Sequence, residues 1–396
     1  MVVPNKQMGT SKFNRRAFLQ RSLVLAAGAP LATRFLGLES RAAEISTARR
    51  SDAKVAIVSC RSYGPEVRSA LARSFNLLGG VGSLVKDKTV TVKINLTGTD
   101  FAPFLNRPVG ETYMTHCATA MALGSLLFDA GAKRVRFVES TQSRAQLAAS
   151  LAFADWDIRA FEALGNVQFE NTRNLGEGKR YAHFTVPAGG HMFSSFELNH
   201  AYADTDVMVS LAKLKDHVTA GVTLSMKNLF GITPNSLYGS ESGSEDATEG
   251  RLPLHEPHSS GRIQPPGLKQ GISSADPGWR VPRVTVDVCA ARPVHLAIID
   301  GITAMSGGEG PWCGIASVLK VTTPGVLIVG LNPVSTDAVG TAVMGYADPR
   351  AVRGSKPFQN CDNHLLLAEQ AGLGVSDLAQ IELLGKPLQQ ARYPYA

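Results

Sequence analysis

The sequence has few cysteines, and none lies close to another. No C-x-x-C pair occurs among the five, which are Cys60, Cys117, Cys289, Cys313 and Cys361. Iron–sulfur clusters and structural zinc sites use closely spaced cysteines, so we expect no iron–sulfur cluster in this chain. The odd, sparse count also argues against a disulfide scaffold, although one or two bridges are compatible with an oxidising compartment.

The sequence also lacks a strong basic field over most of its length. The formal net charge of the 396 residues is +7, but residues 1–44 contribute +5 of it and residues 45–396 only +2. No long run of lysine and arginine with interleaved aromatic residues appears after residue 44. We therefore expect no nucleic-acid partner. No stretch there reaches the roughly 18 uninterrupted apolar residues of a spanning helix, so we expect no stable membrane span after the N-terminal region is removed.

The N-terminal region has the features of an export signal. Phe13-Asn-Arg-Arg-Ala-Phe-Leu-Gln20 resembles the twin-arginine motif, the apolar stretch 23–32 follows, and Ser40-Arg-Ala42 supplies small residues for a signal peptidase. We predict a twin-arginine (Tat) signal peptide over 1–44, a polar linker over 45–53, and a periplasmic or otherwise exported protein whose partners include the Tat export machinery. A basic disordered tail and a retained anchor are the alternatives.

The remainder, residues 54–396, has the pattern of an α/β domain. Apolar, partly β-branched runs at 54–60, 89–95 and 134–139 alternate with helical patterns at 65–78 and 115–131. This rhythm predicts a mostly parallel sheet with crossover helices. Further on, we predict helices at 152–164, 218–229, 282–291, 335–344 and 364–371, and strands at 167–169, 206–212, 295–300, 325–330 and 381–384.

One segment interrupts the regular pattern. Residues 236–282 are rich in Gly, Ser, Pro and acidic residues. A loop of this length in a compact domain is usually functional or disordered. We therefore interpret it as a long irregular insertion, either a mobile lid over a site or a plain solvated loop. Its His255 and His258 are weak candidates for metal binding.

A concentration of lysines follows the predicted strand 206–212. Lys213, Lys215, His217, Lys227 and Asn228 fall within nineteen residues. In open α/β sheets ligands bind at the carboxyl ends of strands. Lysines there can hold a carboxylate or phosphate, a desolvated lysine can act as a base or nucleophile, and a histidine can transfer protons near neutral pH. We therefore assign catalytic roles to the three lysines and to His217, and substrate binding to Asn228.

Other polar residues also follow predicted strands or begin a helix. We assign substrate binding to Lys93, Asn95, Ser140 and His116, and a possible metal ion to Glu139 and Asp300. Each has a structural alternative. Lys93 could end its strand in water, Glu139 could form an ion pair with Lys213, and His116 could simply begin a helix.

These segments together resemble the domain of unknown function 362 family. The resemblance rests on Lys93-Ile-Asn-Leu96, Leu211-Ala-Lys-Leu-Lys-Asp-His217, Met226-Lys-Asn-Leu-Phe-Gly231, Ile298-Ile-Asp-Gly-Ile302 and Thr336-Asp337. It covers most of residues 54–396. The chain departs from the family pattern at Ile94, where a proline is usual, and at Glu139, where an aspartate is usual. The family has no agreed reaction, and the cysteine clusters of some members are absent here.

Two hypotheses for function stay open at this point. The first is an exported enzyme that acts on a small anionic ligand, a carboxylate or phosphate, by Lys/His acid–base chemistry, with a metal ion possible and any other cofactor unknown. A distant likeness of residue type alone links it to nickel-cofactor racemases such as lactate racemase. The alternative is a periplasmic binding or accessory protein for an anion, cofactor or metal, without catalysis.

Overall fold

The computed structural model describes residues 53–96, 103, 106–142, 144–248, 250–257, 263–313 and 318–395. The predicted signal peptide, residues 1–44, and all but the last residue of the predicted linker 45–53 lie outside the described residues, as does His258. Within the described ranges, no helix combines the length and the apolar character needed to cross a membrane.

A central sheet of ten strands and a separate two-stranded antiparallel sheet, β5–β6, carry the fold of the described chain. The strands are β1 Lys54–Ser59, β2 Thr89–Lys93, β3 Arg134–Glu139, β4 Val167–Asn171, β5 Ala182–Thr185, β6 Ser195–Leu198, β7 Val207–His217, β8 Gly221–Val222, β9 Leu296–Ser306, β10 Lys320–Thr322, β11 Val326–Gly330 and β12 Glu382–Gly385.

The sheet is mostly parallel, as the sequence predicts. Its order is β12-β1-β11-β9-β7-β2-β3-β4, with β10 added beside β9 and β8 beside β7. The run β9-β7-β2-β3-β4 is parallel throughout, and β11 runs antiparallel to both of its neighbours. The central strands β7 and β9 are buried almost along their whole lengths. Their continuous apolar sequences fit strands that are covered on both faces.

Helices cover both faces of this sheet. They are α1 Pro65–Leu77, α2 Gly82–Val85, α3 Cys117–Asp129, α4 Leu147–Phe153, α5 Ile158–Glu162, α6 Leu224–Asn228, α7 Asn235–Tyr238, α8 Leu252–His255, α9 Pro277–Ala291, α10 Pro333–Val343, α11 His364–Gln370 and α12 Leu388–Ala391. Val67 of α1 and Leu123 of α3 belong to one apolar core, whereas Val284 of α9 and Val339 of α10 belong to the other. The predicted α/β fold is confirmed.

Two predicted helices differ from the observed elements. The single helix predicted over 152–164 is instead the pair α4 and α5, because Asp155 adopts a left-handed φ of 60° between them. The helix predicted over 218–229 begins only at Leu224, because Gly221 and Val222 pair with the end of β7 as β8. In the predicted insertion 236–282, the end of α7, the short helix α8 and the start of α9 break up the loop.

Candidate functional site

A cavity of about 470 Å³ opens where β2, β3 and β7 end. Because these parallel strands run in the same direction, their carboxyl ends meet at one edge of the sheet. The volume falls within the roughly 300–1,000 Å³ of small-molecule sites. Its polar and charged lining residues are Lys93, Asn95, Glu139, Ser140, Gln142, Lys215, His217, Thr219, Thr223, Lys227, Asn228, Arg251, His255 and Glu309.

Eight of the eleven residues predicted for the site line this cavity. The other three, Lys213, His116 and Asp300, lie together elsewhere. Lys213 is fully buried, and its Nζ lies 3.4 Å from Asp300 Oδ2, 2.8 Å from the Tyr63 hydroxyl and 3.0 Å from the Gly110 carbonyl oxygen. The His116 ring stacks on Tyr63, and its Nδ1 accepts a hydrogen bond from the Ala118 N–H at the start of α3. The polar groups of these three residues are thus engaged by other parts of the protein, outside the cavity.

Lys93 and Glu139 form a buried ion pair in the cavity wall. The Lys93 ammonium donates to Glu139 Oε1, and the carboxylate also accepts hydrogen bonds from the Leu96 and Ser140 backbone N–H groups. Glu139 thus pairs with Lys93 rather than with Lys213, which was the pairing considered from the sequence. Burial lowers the pKa of Lys93 and raises the pKa of Glu139, so desolvation outweighs their mutual attraction.

The two candidate metal ligands, Glu139 and Asp300, are separated by this arrangement. Each carboxylate is paired with a different lysine, Lys93 for the first and Lys213 for the second. Throughout the described part of the chain, no three His, Cys, Asp or Glu side chains come together as metal ligands would.

Lys215 reaches the cavity, but its ammonium hydrogens are already engaged. Nζ lies 2.8 Å from Asn95 Oδ1, 2.7 Å from the Tyr113 carbonyl oxygen and 2.9 Å from the Glu309 carbonyl oxygen. An ammonium group has three N–H donors, so these three acceptors satisfy it. Burial lowers the pKa of Lys215 to about 7. Lys215 therefore links three segments of the chain around the site. It contributes positive charge to the cavity but has no N–H group left to donate to a ligand.

Lys227 is different from the other lysines of the site. Its Nζ lies 4.0 Å above the Phe230 ring centroid and makes no direct hydrogen bond or ion pair with a described residue, although Glu309 attracts it at longer range. Burial lowers its pKa to about 8. It lies on α6, whose N-terminal Ser225 and Met226 N–H groups donate to the Asp337 carboxylate at 2.8 Å each. Asp337 thus anchors the helix that carries the available ammonium group.

Arg251, from the predicted insertion, lines the cavity although it is not among the residues predicted for the site from the sequence. Its Nη2 donates to Ser140 Oγ at 2.7 Å and to the Gly231 carbonyl oxygen at 2.8 Å, and Nε donates to Thr233. The side chain is buried and forms no direct ion pair within the described ranges, although Glu139 attracts it at longer range. Burial lowers its pKa to about 10, so it stays charged. Nothing in the local sequence around Arg251 distinguishes it from a surface arginine.

Two histidines line the same cavity with different proton positions. His217 Nδ1 accepts the Thr219 N–H at 3.1 Å, which assigns the proton of the neutral ring to Nε2. His255 Nδ1 lies 2.9 Å from the Arg251 carbonyl oxygen and must donate, which leaves Nε2 as an acceptor. Burial, followed by repulsion from Lys227, lowers the pKa of both rings, that of His255 to about 4. Both are therefore neutral near pH 7.

Glu309 completes the electrostatics of the cavity. Although burial favours its neutral form, His217 and the Val218 N–H, 3.1 Å from Oε2, hold its pKa at about 2. Lys93 and Glu139 cancel each other's charge. Of the remaining charged residues of the cavity, Lys215, Lys227 and Arg251 are basic and Glu309 is acidic, so the site holds more positive than negative charge at neutral pH.

Fold and site together define an α/β protein with a cationic cavity at the carboxyl edge of its parallel strands. The chain belongs to the family described as a domain of unknown function, DUF362, whose model matches residues 90–342. Over 182 residues it is 30% identical to a thylakoid-associated protein of Synechocystis sp., a match that covers 45% of this chain and 50% of that one. The chain thus spans about half the length of this curated relative.

Two solved structures resemble the fold loosely. One, a protein from Thermotoga maritima, is 14% identical with a TM-score of 0.33 and is matched over 62% of this chain and 51% of its own. The other, a lactate racemase apoprotein from Thermoanaerobacterium thermosaccharolyticum, is 15% identical with a TM-score of 0.31, over 64% and 50%. Neither likeness is close enough to carry a function over.

Proposed function

We propose that the protein is an enzyme that binds a small anion, a carboxylate or phosphate, and moves a proton on it. The observation that carries the proposal is that Lys227 and Arg251 line one cavity without a direct ion pair to a described carboxylate, although Glu309 attracts Lys227 and Glu139 attracts Arg251 at longer range. Burial lowers the pKa of both side chains, and these longer-range attractions do not offset it. A bound anion would supply a direct countercharge, and only Lys227 of the cavity lysines has donors to spare for it.

The two histidines would transfer the proton. The unprotonated Nε2 of His255 is suited to accept a proton, and the Nε2–H of His217 is suited to donate one. An anion beside Lys227 would offset the repulsion that, after burial, depresses the pKa of His255. Ligand binding would therefore raise this pKa towards the range in which a base works well at neutral pH.

The proposal is tested by proton exchange in D₂O. Purified protein would be incubated with a panel of small carboxylates and phosphates, and loss of carbon-bound hydrogen signals would be followed by NMR. We expect exchange with at least one compound, abolished by Lys227→Met and unaffected by Lys133→Met. Lys133 is an exposed lysine that precedes β3, at the opposite end of the strand from the cavity. Tight binding with no exchange or turnover of any compound would refute an enzymatic role.

A binding or accessory protein is the second candidate. Within the cavity, the ammonium group of Lys215, predicted to be catalytic, is occupied by three acceptors of the protein itself. That is more typical of a preorganised binding site than of reactive amines. Binding of an anion, detected as a thermal shift that Lys227→Met removes, without any change in the compound would support this candidate.

We also propose that the protein acts outside the cytoplasm after twin-arginine export. Support comes from the sequence of residues 13–42, with its paired arginines, apolar stretch and small residues. Fusion of residues 1–44 to a folded reporter should direct the reporter to the periplasm, and Arg15→Lys with Arg16→Lys should retain it inside. Export of the doubly substituted fusion at the normal level would contradict the proposal.

A further inference from the structure

The mouth of the cavity has a composition opposite to that of its interior. Lys93, Glu139, Ser140 and Asn228 are nearly inaccessible inside it. Three of its four exposed lining residues are apolar, Val218, Leu252 and Trp312, with 49%, 51% and 39% of their surface exposed, and the fourth is Gln142. Folded proteins normally place large apolar side chains inside and charged ones outside. The site therefore reverses the usual arrangement, with charge at depth and apolar surface at the entrance.

The three apolar residues come from separate parts of the chain. Val218 directly follows β7, Leu252 begins α8, and Trp312 lies in the loop after β9. Six large apolar side chains of the described ranges are notably exposed, and half of them lie on this one cavity. An apolar cluster that rims a polar cavity is typical of a ligand site rather than of scattered surface residues.

We propose that the ligand is an anionic amphiphile, a carboxylate or phosphate that carries an apolar chain or ring. Its charged group would meet Lys227 and Arg251, and its apolar part would lie against Val218, Leu252 and Trp312 at the entrance. The cavity volume of about 470 Å³ leaves room for more than a bare anion. This inference rests on the proposed anion site and adds to it the chemical class of the rest of the ligand.

Calorimetric titration with two homologous series tests the inference. One series is unbranched carboxylates from butanoate to decanoate, and the other is the matching alkyl phosphates, both kept below their micellar concentrations. Burial of a methylene group predicts an affinity gain of up to about fourfold for each added CH₂. The head group that the site prefers, carboxylate or phosphate, is the one whose short-chain compounds bind more tightly.

A rim variant and a matched control locate the effect. Val218→Thr with Leu252→Gln should reduce the gain to less than about twofold per CH₂, because it removes apolar surface from the entrance while keeping side-chain size. Val352→Thr changes another exposed valine, 65% accessible and not on the cavity, and should leave the gain as in the wild type. Circular dichroism would confirm that all three proteins are folded.

The outcomes separate this inference from the function proposed above. If butanoate or butyl phosphate binds in a Lys227-dependent way but affinity does not rise with chain length, the proposal of an amphiphilic ligand is refuted and the anion site stands. If affinity rises equally in the rim variant, the apolar contact lies elsewhere and the assignment of the rim is wrong. If no compound of either series binds, both proposals fail.

Discussion

The titration of Lys227 leads to a quantitative prediction for anion binding. With a pKa of about 8, the free ammonium is about nine-tenths protonated at pH 7 and about one-tenth at pH 9. An anion that requires the charged form should therefore bind about tenfold more weakly at pH 9 than at pH 7. The direction of this pH dependence follows from linkage, because the bound anion favours the protonated lysine. At pH 8, where the free lysine is about half protonated, binding should take up about half a proton per anion.

Substitutions isolate this contribution from that of Lys215. Lys215 has a pKa of about 7 and its donors face other acceptors, so it should add only a weaker step at lower pH. Lys227→Met should weaken butanoate binding about 10- to 150-fold at pH 7, the equivalent of about 1.5–3 kcal/mol for one charged hydrogen bond. It should also abolish the fall between pH 7 and pH 9. Lys227→Arg keeps its charge in this range and should bind butanoate with little pH dependence.

The assay is calorimetry with butanoate, whose own charge is constant above pH 6. Titrations at pH 8 in two buffers with different enthalpies of ionisation give the number of protons taken up. Equal pH profiles for the wild type and Lys227→Met, or proton release on binding, would refute this role of Lys227. Lys133→Met, at an exposed lysine beyond the far end of β3, should behave as the wild type.

The same geometry predicts three other outcomes. Lys93→Met or Glu139→Gln alone should each lower the free energy of unfolding in urea by about 3–5 kcal/mol. The double variant should lower it by far less than the sum of the two losses, and additive losses would mean that the pair is not coupled. Asp337→Asn should cost about 1–3 kcal/mol in urea and weaken butanoate binding, because it removes an acceptor that holds the helix of Lys227. His255→Gln should slow proton exchange in D₂O more than it weakens binding, and equal losses would mean that His255 only binds.

The predictable part of the site follows from strand periodicity. Lys93, Glu139 and Lys215 could be placed from the sequence because each lies at or just beyond the end of a predicted buried strand, and such ends meet at one edge of a parallel sheet. Proximity of the strand ends, however, does not reveal partners. Lys213 is only two residues from Lys215, yet the register of β7 against β9 shifts between them and Lys213 pairs with Asp300 outside the cavity.

The role of the long segment 236–282 could not be predicted from its composition. Its Gly, Ser and Pro content predicts irregular backbone, which is largely what the described part shows. The sequence does not show that Arg251 is buried against Ser140 and Gly231, because those partners are remote in sequence and meet Arg251 only through tertiary packing. The tautomers of His217 and His255 depend in the same way on backbone groups that fix one ring nitrogen each.

The sequence by itself therefore determined the α/β fold, the positions of its main strands along the chain and the edge at which polar residues gather, because these depend on local hydrophobic periodicity and on the direction of parallel strands. Only the tertiary structure decided which cations are neutralised and which are available. That distinction depends on hydrogen-bond acceptors and carboxylates supplied by distant segments, and it separates the occupied ammonium groups of Lys93, Lys213 and Lys215 from that of Lys227.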